Sequence, residues 1–263
     1  MATSVNMDDI RANRDAGTFS KGRVLAVVTS HDKLGATGYP TGYWISELSH
    51  PYLALTRAGY EVDVASPKGG AAPLDAWSDP DSEVAQNPDD FVSTGFLLNN
   101  TTRAKVEDTI QLADVDAADY VGVFFVGGYG GAYDLADDPD VQRLARDVWE
   151  AGGVVGAICH GAPALINVVL NDGTYLVDGR RLTGFSKPED KEVEETVGTP
   201  FLAGSYTEDH LRTKGAVYEY GGLFQPFAVT SDDERLVTGQ QQFSGEVFGE
   251  ALAVALDKIA AEA

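Results

Sequence analysis

The dipeptide Cys159-His160 is the feature of this sequence whose residue types and position most directly suggest chemistry. Cys159 is the single cysteine of the chain and follows the apolar run VVGAI (154–158), with small residues, Ala157 and Gly161, two positions away on either side. A nucleophile at a sharp strand-to-helix turn needs such small neighbours. The pattern predicts a nucleophilic thiol whose pKa is lowered by the following helix N-terminus, beside an oxyanion-binding N–H of His160. The alternative is a buried, space-filling cysteine.

A glycine-rich segment, FFVGGYGGAYD (124–134), ends another apolar run. Glycines at the end of a strand let backbone N–H groups approach a ligand closely, which predicts half of an oxyanion hole. A simple tight turn is the alternative. The GGxGG spacing has neither the GxGxxG pattern nor the Walker lysine, so it does not indicate a phosphate-binding loop.

Carboxylates at two places are candidate partners for the thiol and the imidazole. Glu47 lies in an apolar stretch with helical spacing, and a core-facing position would raise its pKa and let it donate a proton to a thiolate. A solvated helix-face carboxylate is the alternative. Glu189 and Asp190 follow RLTGF (181–185) in a predicted loop, and either could orient His160 as the third member of a triad. Acidic residues occur in most loops of this chain, which weakens that signal.

The elements that must position these residues alternate between apolar runs and amphipathic stretches. Their order predicts an α/β fold with a mostly parallel sheet, helices on both faces and a site at the carboxyl ends of the strands. We also expect a hairpin that turns at Asp178-Gly179, a final strand pair over 227–239, and a long loop over 68–90 that caps the site. The predicted strands are 23–30, 61–67, 119–128 and 154–159, and the predicted helices are 46–60, 101–115, 138–153 and 244–263.

Composition limits the class of protein. The hydrophobic content of 43% is ordinary for a globular chain, and one cysteine cannot form an internal disulfide. Residues 1–20 lack the apolar core of a secretory signal and are predicted to form a flexible tail, followed by a single domain over 21–263. The sequence contains no run of 18 apolar residues, so no membrane span is predicted and we expect a cytoplasmic protein.

Charge is the most unusual property of the sequence. Asp and Glu number 41 against 19 Lys and Arg, a formal net charge of −22, which disfavours binding to nucleic acid or anionic membranes. The acids are dispersed, which favours a halophilic protein over one with a specific cationic partner. The four histidines, of which His50 is interpreted as structural, have neither HxxxH nor HxH spacing, so no metal site is predicted.

Several segments together resemble the ThiJ/PfpI superfamily, in its branch of glyoxalase-III-like proteins and heat-shock chaperones, also called type 1 glutamine amidotransferase-like. The segments are TGYWISELSHPYLAL, ASPKGG, FFVGGYGGAYD, AICHGAPAL and RLTGFSKPED. The resemblance implies a flavodoxin-like sandwich with a cysteine nucleophile elbow, often dimeric. It implies that Cys159 is the nucleophile and that His160 and Asp190 (or Glu189) are its triad partners. It also implies that Glu47 is the acid beside the thiol. The N–H groups of Gly128 and His160 would then form the oxyanion hole, with Gly127 and Tyr129 in the substrate pocket.

The activity implied by the resemblance is cofactor-independent conversion of methylglyoxal, a 2-oxoaldehyde, to lactate. A homodimer is expected. The alternatives are a redox sensor, a holdase chaperone or a protein deglycase with an oxidisable Cys159; a cysteine peptidase or an amidotransferase is a weaker interpretation. Two departures bear on the substrate: Tyr129 stands where the family usually has histidine, and the family's segment TGQNPAS is TGQQQFSGE (238–246) here.

Overall fold

The computed structural model describes residues 19–262, so most of the predicted tail over 1–20 lies outside the described residues. The strands are β1 (Arg23–Val27), β2 (Glu61–Ser66), β3 (Ile110–Gln111), β4 (Gly122–Phe125), β5 (Val154–Ile158), β6 (Arg181–Leu182), β7 (Val217–Tyr218), β8 (Ala228–Thr230) and β9 (Leu236–Gly239). The α-helices are α1 (Ile45–Ala58), α2 (Phe91–Leu98), α3 (Asn100–Glu107), α4 (Gly131–Asp134), α5 (Pro139–Glu150), α6 (Lys187–Val197), α7 (Thr207–Thr213) and α8 (Gly245–Glu262).

A seven-stranded sheet with the order β3-β2-β1-β4-β5-β9-β8 forms the centre of the fold. Its neighbours pair in parallel except β8 and β9, which are antiparallel. The predicted mostly parallel α/β sheet is confirmed. The chain first builds outward from β1 to β2 and β3, and then returns to β4 and β5 on the other side. This reversal between β1 and β4 creates a crevice at the carboxyl ends of the strands, where such folds bind ligands.

Apolar cores cover both faces of the sheet. Helices α1 and α8 contribute Leu48 and Leu252 to one core, and α5 contributes Leu144 to the other. Strands β4 and β5 are buried at every position, which is why their sequences are continuous apolar runs rather than alternating ones. The rigid ends of these two strands carry the glycine-rich segment and Cys159.

Three local predictions are wrong. The Asp178-Gly179 turn forms, but it does not join two strands of a hairpin. The residues before the turn bond to another segment, since the Leu176 N–H donates to the Val168 carbonyl, and β6, after the turn, pairs in parallel with β7. The predicted helix over 101–115 ends at Glu107. The segment after Cys159 is a 3-10 helix (Cys159–Leu165) rather than an α-helix.

The segment with Glu189 and Asp190, predicted as a loop, forms the first turn of α6. The Ser186 side chain accepts from the Glu189 N–H, and the Glu189 carboxylate accepts from the Ser186 N–H, which is a capping box. Pro188 lies in the first turn, where its missing N–H costs nothing. Among residues 19–262, no helix has both the length and the apolar character needed to cross a membrane.

Candidate active site

Cys159 occupies a strained turn at the carboxyl end of β5. Its φ is +56°, a left-handed conformation that an ordinary residue rarely adopts. Gly161 packs so tightly on the carbonyl of Phe125 that a Cβ would overlap it, which explains the small residue two positions after the thiol. The sharp backbone turn brings the side chains of Cys159 and His160 to the same side.

His160 bridges the thiol and a carboxylate. Its Nδ1 lies 3.6 Å from the Cys159 sulfur, and its Nε2 lies 2.9 Å from Oδ1 of Asp190. The imidazole is packed between the rings of Tyr129 and Phe185, with centroid distances of 4.3 and 4.6 Å. Because the Asp190 carboxylate accepts a hydrogen bond from Nε2–H, Nδ1 is left with the lone pair that can accept the thiol proton.

The two adjacent carboxylates of α6 point to different partners. Asp190 contacts His160, and the Tyr129 hydroxyl lies 3.5 Å from the same Oδ1. Glu189 instead accepts hydrogen bonds from the N–H groups of Ser186 and Phe224, at 3.0 and 2.7 Å. The structure therefore brings Asp190, and not Glu189, to His160, because the Glu189 carboxylate binds the backbone around α6.

Glu47 is fully buried on α1 beside the thiol, rather than on a solvated helix face. A Cβ on Gly127 would overlap the Glu47 carboxylate and would lie 2.7 Å from the Cys159 Cβ, so only glycine allows the two groups to approach. Burial raises the pKa of Glu47 well above its ordinary value, although the Cys159 thiol and the Gly127 N–H favour the anion. Neither contact is a hydrogen bond of ordinary geometry. Glu47 is therefore placed to hold a proton at neutral pH.

The pKa of Cys159 is raised, contrary to the prediction that a helix N-terminus lowers it. Burial is the largest cause, and the adjacent Glu47 carboxyl adds to it. The backbone N–H groups of Gly128 and His160 oppose this shift, but the short 3-10 helix provides little additional stabilisation. The thiol is thus neutral at rest.

A small cavity of about 20 Å³ opens onto the thiol. Tyr129 lines it, as expected, whereas Gly127 does not line it and instead packs between Glu47 and Cys159. The loop over 68–90 covers the cavity with Trp77 and Gln86. This volume holds little more than one water molecule, so the first atoms of a substrate fill it.

Comparisons with known proteins show the family of this chain. The sequence profile described as the DJ-1/PfpI family matches residues 41–253. The chain belongs to the DJ-1/PfpI family. Among its relatives are "Glyoxalase 3" of Candida albicans, 30% identical over 82% of this chain and 91% of that protein, and "Glutathione-independent glyoxalase HSP31" of Saccharomyces cerevisiae, 30% identical over 82% and 90%.

Solved structures give the same relationship. The crystal structure of glyoxalase III from Candida albicans matches with a TM-score of 0.75 and 28% identity, covering 89% of this chain and 97% of that one. The Francisella tularensis Rapid Encystment Protein matches with a TM-score of 0.79 and 32% identity, covering 89% and 99%. The likeness therefore extends over nearly the whole described fold of this DJ-1/PfpI-family chain.

Sequence reasoning missed the residues that pack around the triad and cover the cavity. Phe185, which packs on His160, lies in the TGF segment directly before the two acids. Gln242 lines the cavity and lies in the segment already noted as unusual, 238–246. Trp77 and Gln86 come from a loop without a repeating pattern, and nothing in their local sequence indicates that they contact the site.

Proposed function

We propose that this DJ-1/PfpI-family protein is a cofactor-independent glyoxalase that converts methylglyoxal and related 2-oxoaldehydes to 2-hydroxy acids through a covalent adduct on Cys159. The observation that carries the proposal is the line from the Cys159 sulfur to His160 and Asp190, with a buried Glu47 beside the same sulfur. The names of relatives that match most of the chain, which are glyoxalases, support the same reaction.

The first step adds the thiol to the aldehyde carbon. His160 Nδ1 takes the thiol proton, the sulfur bonds to the aldehyde carbon, and the N–H groups of Gly128 and His160 stabilise the oxygen anion that develops. The imidazolium formed in this step is stabilised by Asp190 at 2.9 Å. Phe185 and Tyr129 hold the ring in place, so little motion is needed.

The second step rearranges the hemithioacetal to a thioester of the hydroxy acid. A proton leaves the former aldehyde carbon and is returned to the neighbouring carbonyl carbon through an enediol, so no electron leaves the substrate. The side chains of His160 and Glu47 lie beside the thiol and are therefore placed to carry this proton. Water then hydrolyses the thioester, which releases the hydroxy acid and restores the thiol. The sum is a 2-oxoaldehyde plus water giving a 2-hydroxy acid.

The test is lactate formation from methylglyoxal without glutathione, at high salt, for the native protein and for Cys159→Ala. We expect the variant to lose at least about a thousandfold in kcat, since it lacks the nucleophile. Cys159→Ser is the matched control for folding, because it keeps the size of the side chain. Equal rates for Cys159→Ala and the native protein would reject the proposal.

A redox sensor is the second candidate, and the buried site disfavours it. Oxidation of cysteine follows thiolate character and exposure, whereas Cys159 is only 3% exposed and has a raised pKa. Mild peroxide followed by measurement of the intact mass distinguishes the two functions. A sensor gains oxygen on Cys159 readily and forms no lactate.

The finer properties expected from sequence stay proposals. They are a single domain over 21–263, a homodimer, a cytoplasmic location and adaptation to high salt. Size-exclusion chromatography with light scattering tests the dimer, because a mass near 28.0 kDa would indicate a monomer.

A further inference from the structure

A second cavity lies directly outside the one that opens onto Cys159. This outer cavity is formed between α1, the loop over 68–90 and the start of α8, and its volume of about 130 Å³ is more than six times the inner 20 Å³. The two cavities share four lining residues, Trp44, Trp77, Gln86 and Gln242. When the reacting aldehyde of methylglyoxal occupies the inner cavity, only its small acetyl end extends outward, so most of the outer cavity stays empty.

The boundary between the cavities is a weak contact between two amides. Gln242 Nε2 donates to Gln86 Oε1 at 3.4 Å, which is long for a hydrogen bond. This leaves Gln86 Nε2 and Gln242 Oε1 without a partner among residues 19–262. A substituent that carries hydroxyl groups can separate the two side chains and bond to both, since an amide offers a donor and an acceptor.

The chemistry of the outer cavity selects against anions. Of the described residues that line it, Asp90 and Glu246 are acidic, and none is lysine or arginine. Its one basic group, His50, is already paired with Asp90 at 3.1 Å. A phosphorylated substrate or the carboxylates of a glutathione adduct would meet negative charge without a cationic partner. A neutral substituent with hydroxyl groups fits these walls of tryptophan and amides.

We propose that the outer cavity is a substituent subsite, and that the protein takes neutral, hydroxyl-bearing 2-oxoaldehydes larger than methylglyoxal, such as those that form when sugars dehydrate. This proposal rests on the proposed glyoxalase function. The reaction is unchanged: the thiol adds to the aldehyde carbon, a proton moves between the two carbonyl carbons, and water releases the 2-hydroxy acid. The substituent takes no part in the chemistry and extends past Gln86 and Gln242 into the outer cavity.

The experiment compares kcat/KM for methylglyoxal and for 3-deoxyglucosone, a six-carbon 2-oxoaldehyde with three hydroxyl groups. Asn87 and Glu246 lie on opposite walls of the outer cavity, do not line the inner one and are exposed. Asn87→Trp fills the subsite from the loop, and Glu246→Leu removes a polar group from α8. Asn171→Trp is the matched control, because Asn171 is equally exposed and lines neither cavity.

We expect the native protein to convert 3-deoxyglucosone at least as efficiently as methylglyoxal. Asn87→Trp should lower kcat/KM tenfold or more for 3-deoxyglucosone and less than twofold for methylglyoxal. Glu246→Leu should lower kcat/KM severalfold for 3-deoxyglucosone only. Asn171→Trp should leave kcat/KM for both substrates unchanged. The subsite alone would be overturned if the native protein converts methylglyoxal but not 3-deoxyglucosone, or if both outer-cavity variants lose equally with the two substrates. If the native protein converts neither substrate, the proposed function would be overturned as well.

Discussion

The adjacent carboxylates Asp190 and Glu189 allow catalysis and stability to be tested separately. Both are fully buried on the first turn of α6, but only Asp190 contacts His160. Asp190→Asn keeps the shape of the side chain and removes the charge that stabilises the imidazolium. Two unit charges 2.9 Å apart attract by about 6 kcal/mol at an effective dielectric constant of about 20, which is an upper limit for this effect.

We therefore expect Asp190→Asn to lower kcat for methylglyoxal by about 10²–10⁴, which corresponds to about 3–5 kcal/mol of the barrier. Its unfolding free energy should change little, because Oδ2 of Asp190 has no hydrogen bond in the native protein and Asn can still accept from Nε2–H. The assay is lactate formation at saturating substrate, together with urea unfolding.

Glu189→Gln is the matched control. Oε1 of Glu189 accepts from Phe224 N–H and Gln240 Nε2, and Oε2 accepts from Ser186 N–H and its hydroxyl. A glutamine must place its NH₂ against one of these donor pairs, which should cost about 1–3 kcal/mol of stability. Its kcat should stay within about threefold while it is folded. The reasoning is refuted if Asp190→Asn keeps full kcat, or if Glu189→Gln loses as much kcat as Asp190→Asn.

Three further predictions follow from burial, packing and charge. Burial raises the pKa of Glu47 above its ordinary value of 4.5, so the folded protein keeps a proton that the unfolded chain releases, and the free energy of unfolding should fall by up to about 1.4 kcal/mol per pH unit above pH 4.5. Glu47→Gln should remove this contribution to the pH dependence, measured by urea unfolding between pH 5 and 7. Equal slopes for the native protein and the variant would contradict a buried, protonated Glu47. Tyr129→Phe keeps the ring on His160 and should retain kcat within about threefold, whereas Tyr129→Ala should lose about 3–5 kcal/mol of stability and tenfold or more in kcat; equal losses would argue against the role of packing. The net charge of −22 makes the folded chain repel itself, so the thermal unfolding midpoint should rise between 0.1 and 1 M KCl, as the screening length falls from about 10 to about 3 Å. Matched sucrose solutions are the control. A midpoint that stays constant in KCl would contradict adaptation to salt.

Much of the fold could be predicted because its signals are local. The apolar runs of β4 and β5 indicate strands buried on both faces, and Gly59 ends α1 in the left-handed conformation that favours glycine. A loop, as predicted for this segment, gives no basis for choosing between Asp190 and Glu189. On a helix, neighbouring side chains differ in direction by about 100°, so one turn sends them to different partners. The pattern Ser186-x-x-Glu189 of a capping box assigns Glu189 to the helix end and leaves Asp190 for His160.

The raised pKa of Cys159 could not be predicted because it depends on depth rather than on sequence position. The strand-to-helix turn predicts a thiol whose pKa is lowered by a helix N-terminus, but Trp77 and Gln86 of the capping loop cover the thiol, and burial outweighs the two N–H groups that favour the anion. These covering residues come from a segment whose packing is decided by contacts with distant parts of the chain.

A neutral, buried thiol is compatible with nucleophilic catalysis if proton transfer accompanies attack. The nucleophilicity of a thiolate rises with its pKa, so a cysteine with a raised pKa gains reactivity at the moment when its proton leaves. Nδ1 of His160 lies 3.6 Å from the sulfur and can take this proton as the C–S bond forms, because Asp190 stabilises the resulting imidazolium. Glu47, protonated for the same reason of burial, can then supply a proton to the substrate rather than repel its developing negative charge. Burial thus keeps the resting thiol protonated, while the imidazole that takes its proton lies 3.6 Å away.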